Sequence, residues 1–264
     1  MALTRRQKLR VTRLVQGLIG LAVIAVIVTV ADWQAFAKSF LNWDVARGMF
    51  PRVITTALIN TLLYTACSFM FGLVLAIVLA LMRLSSFMPY RALAMAYVEL
   101  FRGLPALVVL FLIAYGIPIA FAGFTLPGGL LGSVTVGLGL TAAAYMSETL
   151  RAGIQAVPKG QVEAARTLGM SSGRTLVTIV LPQAFRIVIP PLTNEMILLV
   201  KDSSLVYVLG LTLKEYELTK LGQTVLTSQA SATPLLVIAI LYLVLTLPLS
   251  QLVRRLEIKH ARAR

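Results

Sequence analysis

Residues 103–147 carry no charged side chain. As one helix that stretch would run roughly 68 Å, about twice the hydrocarbon core of a bilayer. It must therefore fold back on itself, and Pro127-Gly128-Gly129 supplies the turn that divides it into two helices of spanning length. The whole chain follows the same rule: 58% of its 264 residues are hydrophobic, 13% are charged, and the charges are compressed into short intervals between long uncharged runs. The chain reads as an all-α integral membrane protein.

Apolar runs long enough to insert lie near 14–31, 53–81, 104–122, 133–150, 177–200 and 233–252, which gives about six transmembrane helices. The fifth is interrupted by Arg186, Pro190, Pro191, Asn194 and Glu195, and the prolines predict a break there. Basic residues set the expected orientation. Arg5, Arg6, Lys8, Arg10 and Arg13 precede the first run, and Arg254, Arg255, Lys259, Arg262 and Arg264 follow the last. Both tails, 1–13 and 255–264, are therefore expected in the cytoplasm, which an even number of spans satisfies. The 82–103 and 151–175 loops then lie inside with seven further arginines and lysines, and Lys38, Arg47, Arg52, Lys201, Lys214 and Lys220 remain outside. The first run ends Val28-Thr29-Val30-Ala31, like a signal-peptide cleavage site, but it is long for that role and reads as an uncleaved anchor.

The net charge of +14 is spread over several membrane-flanking segments, so no nucleic-acid partner is expected. One cysteine, Cys67, excludes an intrachain disulfide. One histidine, His260 in the basic tail, leaves no His-based triad or metal site within the membrane. No Gly-x-x-x-x-Gly-Lys-Ser/Thr loop is present, so the chain is not expected to hydrolyse nucleotide without help. The glycines at 123–139 fit a tight turn and close helix packing rather than a phosphate loop.

The loop after the fourth run is the most informative. Pro158 suits a helix start, and residues 159–168 can form a short helix with Val162, Ala165 and Leu168 on one side. Gly169 can end it in the left-handed region, and Ser171 or Ser172 can cap the next helix. The segment reads as helix, corner, helix projecting from the membrane.

Glu163-Ala164-Ala165, Gly169, Ile179 and Leu181-Pro182 match the spacing of the EAA loop of ABC import permeases. The chain resembles that family, and Val98–Pro105, Ala144–Ile154 and Lys201–Leu205 are similar to its polar amino-acid branch. The resemblance spans roughly residues 48–254, with Leu104 and Ala152 as mild departures and the 14–31 helix as an addition to a five-helix type I importer core.

The resemblance implies a bacterial inner-membrane subunit that pairs with a second permease copy, identical or paralogous. It also implies an ATPase dimer docked on residues 157–176 through Glu163, Ala164, Ala165, Arg166 and Gly169, and an extracytoplasmic substrate-binding protein that delivers an amino acid. The chain itself would couple and conduct rather than catalyse.

Pathway candidates come from polarity within the spans. Glu195 and Asn194 follow the expected break, where a restarting helix would offer a positive end to a carboxylate; Asn60 and Tyr145 are further candidates. Spacing suggests a Glu148–Arg151 ion pair, a Glu99–Arg102 clamp, a Glu163–Arg166 pair and a cap at 202–204 for an outer helix within 203–232; Arg186 is a possible structural partner for Glu195. A methionine-type ABC permease and an ion-gradient-driven carrier are the alternatives. The carrier is disfavoured because only one broken helix and no repeat are visible.

Overall fold

The computed structural model describes residues 5–261, all of whose regular elements are helical. Arg262 and Arg264 of the basic tail lie outside the described residues, as do the side chains of Arg6, Lys8, Arg10, Lys259 and His260. Among the described residues five helices are long and apolar enough to cross a membrane, and a bent pair makes a sixth crossing if counted as one.

Helix α1 (Arg5–Val30) begins within the basic tail, and its apolar window has no buried residue. A short amphipathic helix, α2 (Trp33–Phe40), follows, capped by Asp32. Helix α3 is continuous over 43–84, with a π-helical turn at Val53–Leu58. Next come α4 (Met88–Gly103) and α5 (Ala106–Ala120), which meet at 105°. After the Pro127-Gly128-Gly129 turn the chain forms α6 (Leu130–Gln155), α7 (Lys159–Thr167) and α8, continuous over 172–202. A 3-10 turn (Ser203–Val208), α9 (Leu218–Gln229) and α10 (Thr233–Ala261) complete it.

Two expectations fail here for local reasons. The 82–103 segment is mostly helix, because Ala94 and Val98 lie one turn apart and both bury against the bundle. Its bend to α5 falls at Leu104, which precedes Pro105 and is driven out of the helical region to φ −95°, ψ 137°. In contrast, Pro190 and Pro191 do not break α8. Each proline removes one hydrogen bond from the ladder, but Val188, Pro190 and Ile197 are buried against neighbouring helices, and that packing holds the helix through the gap. Proline acts differently at two π-helical turns, Leu112–Gly116 and Leu176–Val180: Pro118 and Pro182 follow them, and the carbonyls their rings would strike, on Ala114 and Thr178, lie inside the widened turns.

The core forms where α3 and α6 lie side by side. A Cβ on Gly72 would sit 2.9 Å from the Gly139 carbonyl oxygen and 2.8 Å from Met146 Cε, so the two backbones approach as only small residues allow. Around this contact Tyr64, Leu110, Leu138, Met146, Leu199 and Val206 are buried together.

At the end opposite the α7 loop, residues 209–217 form a strap across α3. Asn60 Nδ2 donates to the carbonyls of Lys214 (2.7 Å) and Tyr216 (2.9 Å), and Tyr64 Oη donates to that of Glu215 (2.9 Å). The strap ends on Glu217, which is fully buried yet caps α9, accepting from the backbone N–H of Thr219 (2.6 Å) and Lys220 (2.7 Å). Tyr242 Oη donates to the same carboxylate at 3.3 Å. Burial pushes the Glu217 carboxyl up to about 7, against the pull of these hydrogen bonds.

A carboxyl whose folded pKa is raised above its unfolded value adds stability at low pH that is lost as pH rises through the folded pKa. The purified protein should therefore melt at lower temperature as pH rises from about 4.5 to about 7, and Glu217→Gln should remove that part of the slope. An identical pH slope in the variant and the parent would show that Glu217 does not titrate in this range.

Candidate functional site: a charged cavity beside a projecting loop

The loop after α6 is built as its residues dictate. Gly169 sits at φ +83°, and the N–H groups of Gly169 and Met170 bond back to the carbonyls of Arg166 (3.0 Å) and Ala165 (3.1 Å), the paired pattern that closes a helix on a left-handed residue. Ser171 then caps the next helix, accepting from the Arg174 N–H at 3.3 Å. The corner is seated on the bundle by Val157, Val180 and Ala184, packed with Ile154, Val162 and Ile187.

On α7, Ala165 is buried while Glu163, Ala164 and Arg166 face outward. Two details depart from expectation. Leu168 does not join Val162 and Ala165 but is 85% exposed, because the helix has ended at Thr167. Arg166 does not pair with Glu163; its Nη1 donates to the Met170 carbonyl at 2.8 Å and braces the corner.

Between α6, α8 and the α4–α5 bend lies a cavity of about 500 Å³, a size suited to a small ligand. The bend contributes Arg102, Leu104 and Pro105; α6 contributes Thr141 and Tyr145. From α8 come Glu195 and Asp202, seven residues apart and so on one face, with Leu198 between them. The Thr141 hydroxyl is buried without a hydrogen-bond partner. Such a group costs free energy unless something else satisfies it.

At the α7-loop end of this cavity Glu148 accepts from two arginines. Arg83 Nη1 lies 3.1 Å from its Oε1, and Arg102 Nη1 bonds its Oε2. The Arg102 guanidinium also lies 5.6 Å above the centre of the Tyr145 ring, within range of a cation–π contact. This clasp ties α3, α4 and α6 together.

The sequence candidates therefore separate. Glu195 and Tyr145 line the cavity. Asn194 lies outside its wall, and Asn60 lies at the opposite end, where it donates to the strap. Glu148 pairs with Arg83 and Arg102 instead of Arg151, whose Nη1 donates to Gln155 Oε1 at 2.7 Å, and Arg102 is thereby taken from Glu99. These two are the only ion pairs among the described residues, so Glu195 does not pair with Arg186. Asp202 makes no capping hydrogen bond for the helix after it and turns to the cavity instead. Sequence alone does not single out Asp202 and Thr141 as cavity residues; the seven-residue spacing from Glu195 is the available signal for Asp202, and a threonine within an apolar helix carries none.

The model of the binding-protein-dependent transport system inner membrane component matches residues 68–259. The chain belongs to that family. The match leaves α1, α2 and the first part of α3 outside it. This permease is 42% identical over 165 residues to the L-cystine transport system permease protein TcyB of Bacillus subtilis, covering 62% of this chain and 69% of that one. It is 40% identical over 202 residues to the probable glutamine ABC transporter permease protein GlnM of the same organism, covering 75% and 88%. Among solved structures, an amino acid ABC transporter crystallised with histidines superposes with a TM-score of 0.74 at 34% identity, covering 83% of this chain and 98% of that one. Family membership leaves the gradient-driven carrier without support, and the all-helical fold agrees with type I importer permeases.

Because Asn60 clamps the strap and not the cavity, Asn60→Ala should lower stability by about 1–3 kcal/mol, two carbonyls losing their donor. Affinity for any ligand of the cavity should stay within about twofold. Thermal unfolding and ligand binding on the same preparation separate the two effects; a large affinity loss at unchanged stability would return Asn60 to the pathway.

Proposed function

We propose that this permease forms, with a second permease copy, the membrane pathway of an ATP-driven importer of a polar α-amino acid. The observation that carries the proposal is the cavity: a guanidinium on one wall and two carboxylates on another, in a chain that otherwise buries few charges. A zwitterion with a small polar side chain complements that arrangement, and the carboxylates favour neutral or basic amino acids over acidic ones. The names of similar proteins, which specify cystine, glutamine and histidine, support the same class.

In this reading residues 157–176 dock a partner ATPase dimer that holds ATP and magnesium. Exposed Glu163, Ala164 and Arg166 meet the partner, Ala165 seats the helix, and Gly169 fixes the corner. An extracytoplasmic binding protein delivers substrate at the strap end, and both chain ends lie in the cytoplasm of a bacterium. Closure of the ATPases moves α7, and because α7 is packed on α6 and α8 that motion reaches the helices that carry Thr141, Tyr145, Glu195 and Asp202.

Liposomes holding this chain with its ATPase and binding protein should take up a polar or basic amino acid only with ATP, and Glu195→Gln should reduce uptake about tenfold or more. Uptake that persists without ATP would overturn the importer reading. Gly169→Asp, forced into a conformation that costs a side chain about 1–2 kcal/mol, should abolish copurification of the ATPase while the spans stay folded. Retention of the ATPase by that variant would remove residues 157–176 from the docking role.

A further inference from the structure

The clasp and the cavity share a residue. Arg102 stands in the last turn of α4, bonds Glu148 through Nη1, lies over Tyr145 and lines the cavity with a side chain 40% exposed. A guanidinium has five N–H donors, so the bond to Glu148 leaves others available. Glu148 is meanwhile held by Arg83 at 3.1 Å, which gives the clasp two cations for one carboxylate. The clasp is therefore complete as an ion pair without Arg102, and carries surplus positive charge at the edge of the cavity.

A second observation lies in the same wall. Thr141, Tyr145 and Glu148 fall on one stripe of α6, spaced four and three residues apart, and the Thr141 hydroxyl is buried without a partner in the cavity lining. One wall thus offers a cation with spare donors and an unsatisfied hydroxyl. The α8 wall offers Glu195 and Asp202.

We propose that Arg102 and the Thr141 hydroxyl together receive the substrate's α-carboxylate, with Arg83 and Glu148 as positioning residues that hold Arg102 in place; this rests on the amino-acid reading of the cavity. The ammonium group then turns to Glu195 and Asp202. The site selects for the carboxylate itself, so an amide of the same shape binds more weakly at the permease, independently of any choice made by a binding protein.

The test omits the binding protein, whose own selectivity would mask that of the cavity. Labelled histidine, glutamine and cystine are offered to the purified complex of this chain with its ATPase in nanodiscs, with histidinamide, glutaminamide and cystine diamide as competitors. The parent should bind at least one of the three amino acids, its amide competing about tenfold more weakly or worse. Arg102→Gln should weaken the amino acid by about tenfold and leave the amide within about twofold, so that the preference collapses. Arg102→Lys should restore part of it.

A purely structural role for Arg102 would weaken acid and amide alike, and that result overturns the proposal, as does an undiminished preference for the acid. If Arg102→Gln fails to assemble, Thr141→Val carries the same comparison, with a smaller loss confined to the acid expected. No binding of any amino acid to the parent complex would instead overturn the reading of the cavity as an amino-acid site.

Discussion

The approach of α3 to α6 at Gly72 and Gly139 is the contact on which the other arrangements rest. In a bilayer, apolar side chains gain little by leaving lipid for protein, so helices associate through close fit and through polar groups that satisfy one another. A glycine on each helix lets the two backbones come near enough for Met146 and Ala142 to fill the space beside Gly72. Ser68 Oγ reaches the Val134 carbonyl at 3.3 Å on one side of the contact, and Arg83 reaches Glu148 on the other. Once α3 and α6 are fixed along their length, the positions of Thr141 and Tyr145 on the cavity wall follow from helical geometry alone.

What can be read from the sequence divides along the same physical line. The turn at 127–129, the corner at Gly169 and the Ser171 cap depend on a few adjacent residues and on backbone conformations that only some of them adopt, so sequence is sufficient for each. The pairing of Glu148 is not legible. Spacing offers Arg151 as a neighbour on the same helix, but a partner three residues away competes with arginines from α3 and α4 that the fold brings to the carboxylate. Glu217 illustrates the same limit: its capping position before α9 is a local property, whereas its complete burial beside Tyr242 depends on α10, some 25 residues on.

Proline behaves by surroundings rather than by identity. Pro105 marks the sharp bend between α4 and α5, Pro118 and Pro182 accompany π-helical turns, and Pro190 with Pro191 is accommodated within a continuous helix. The ring removes a donor in every case, but Pro105 stands at a helix start, where that donor has no intrahelical partner to lose, whereas Pro190 and Pro191 stand where it would be bonded. What also differs is whether neighbouring helices press on both sides of the gap, as they do around Val188 and Ile197, or leave the chain free to turn. This distinction decides where Glu195 lies: on an unbroken helix, in fixed register with Asp202.

The clasp around Glu148 also has a history in time. Arg83 and Arg102 leave the ribosome before the carboxylate that joins them, and both lie at the ends of their helices, where a long side chain can keep its charge among headgroups while the stem stays in hydrocarbon. Glu148 lies about two turns before the end of α6, on a shorter side chain. The order of the sequence therefore places the acid after both of the cations that it joins, so the clasp closes only when α6 packs beside α3 and α4.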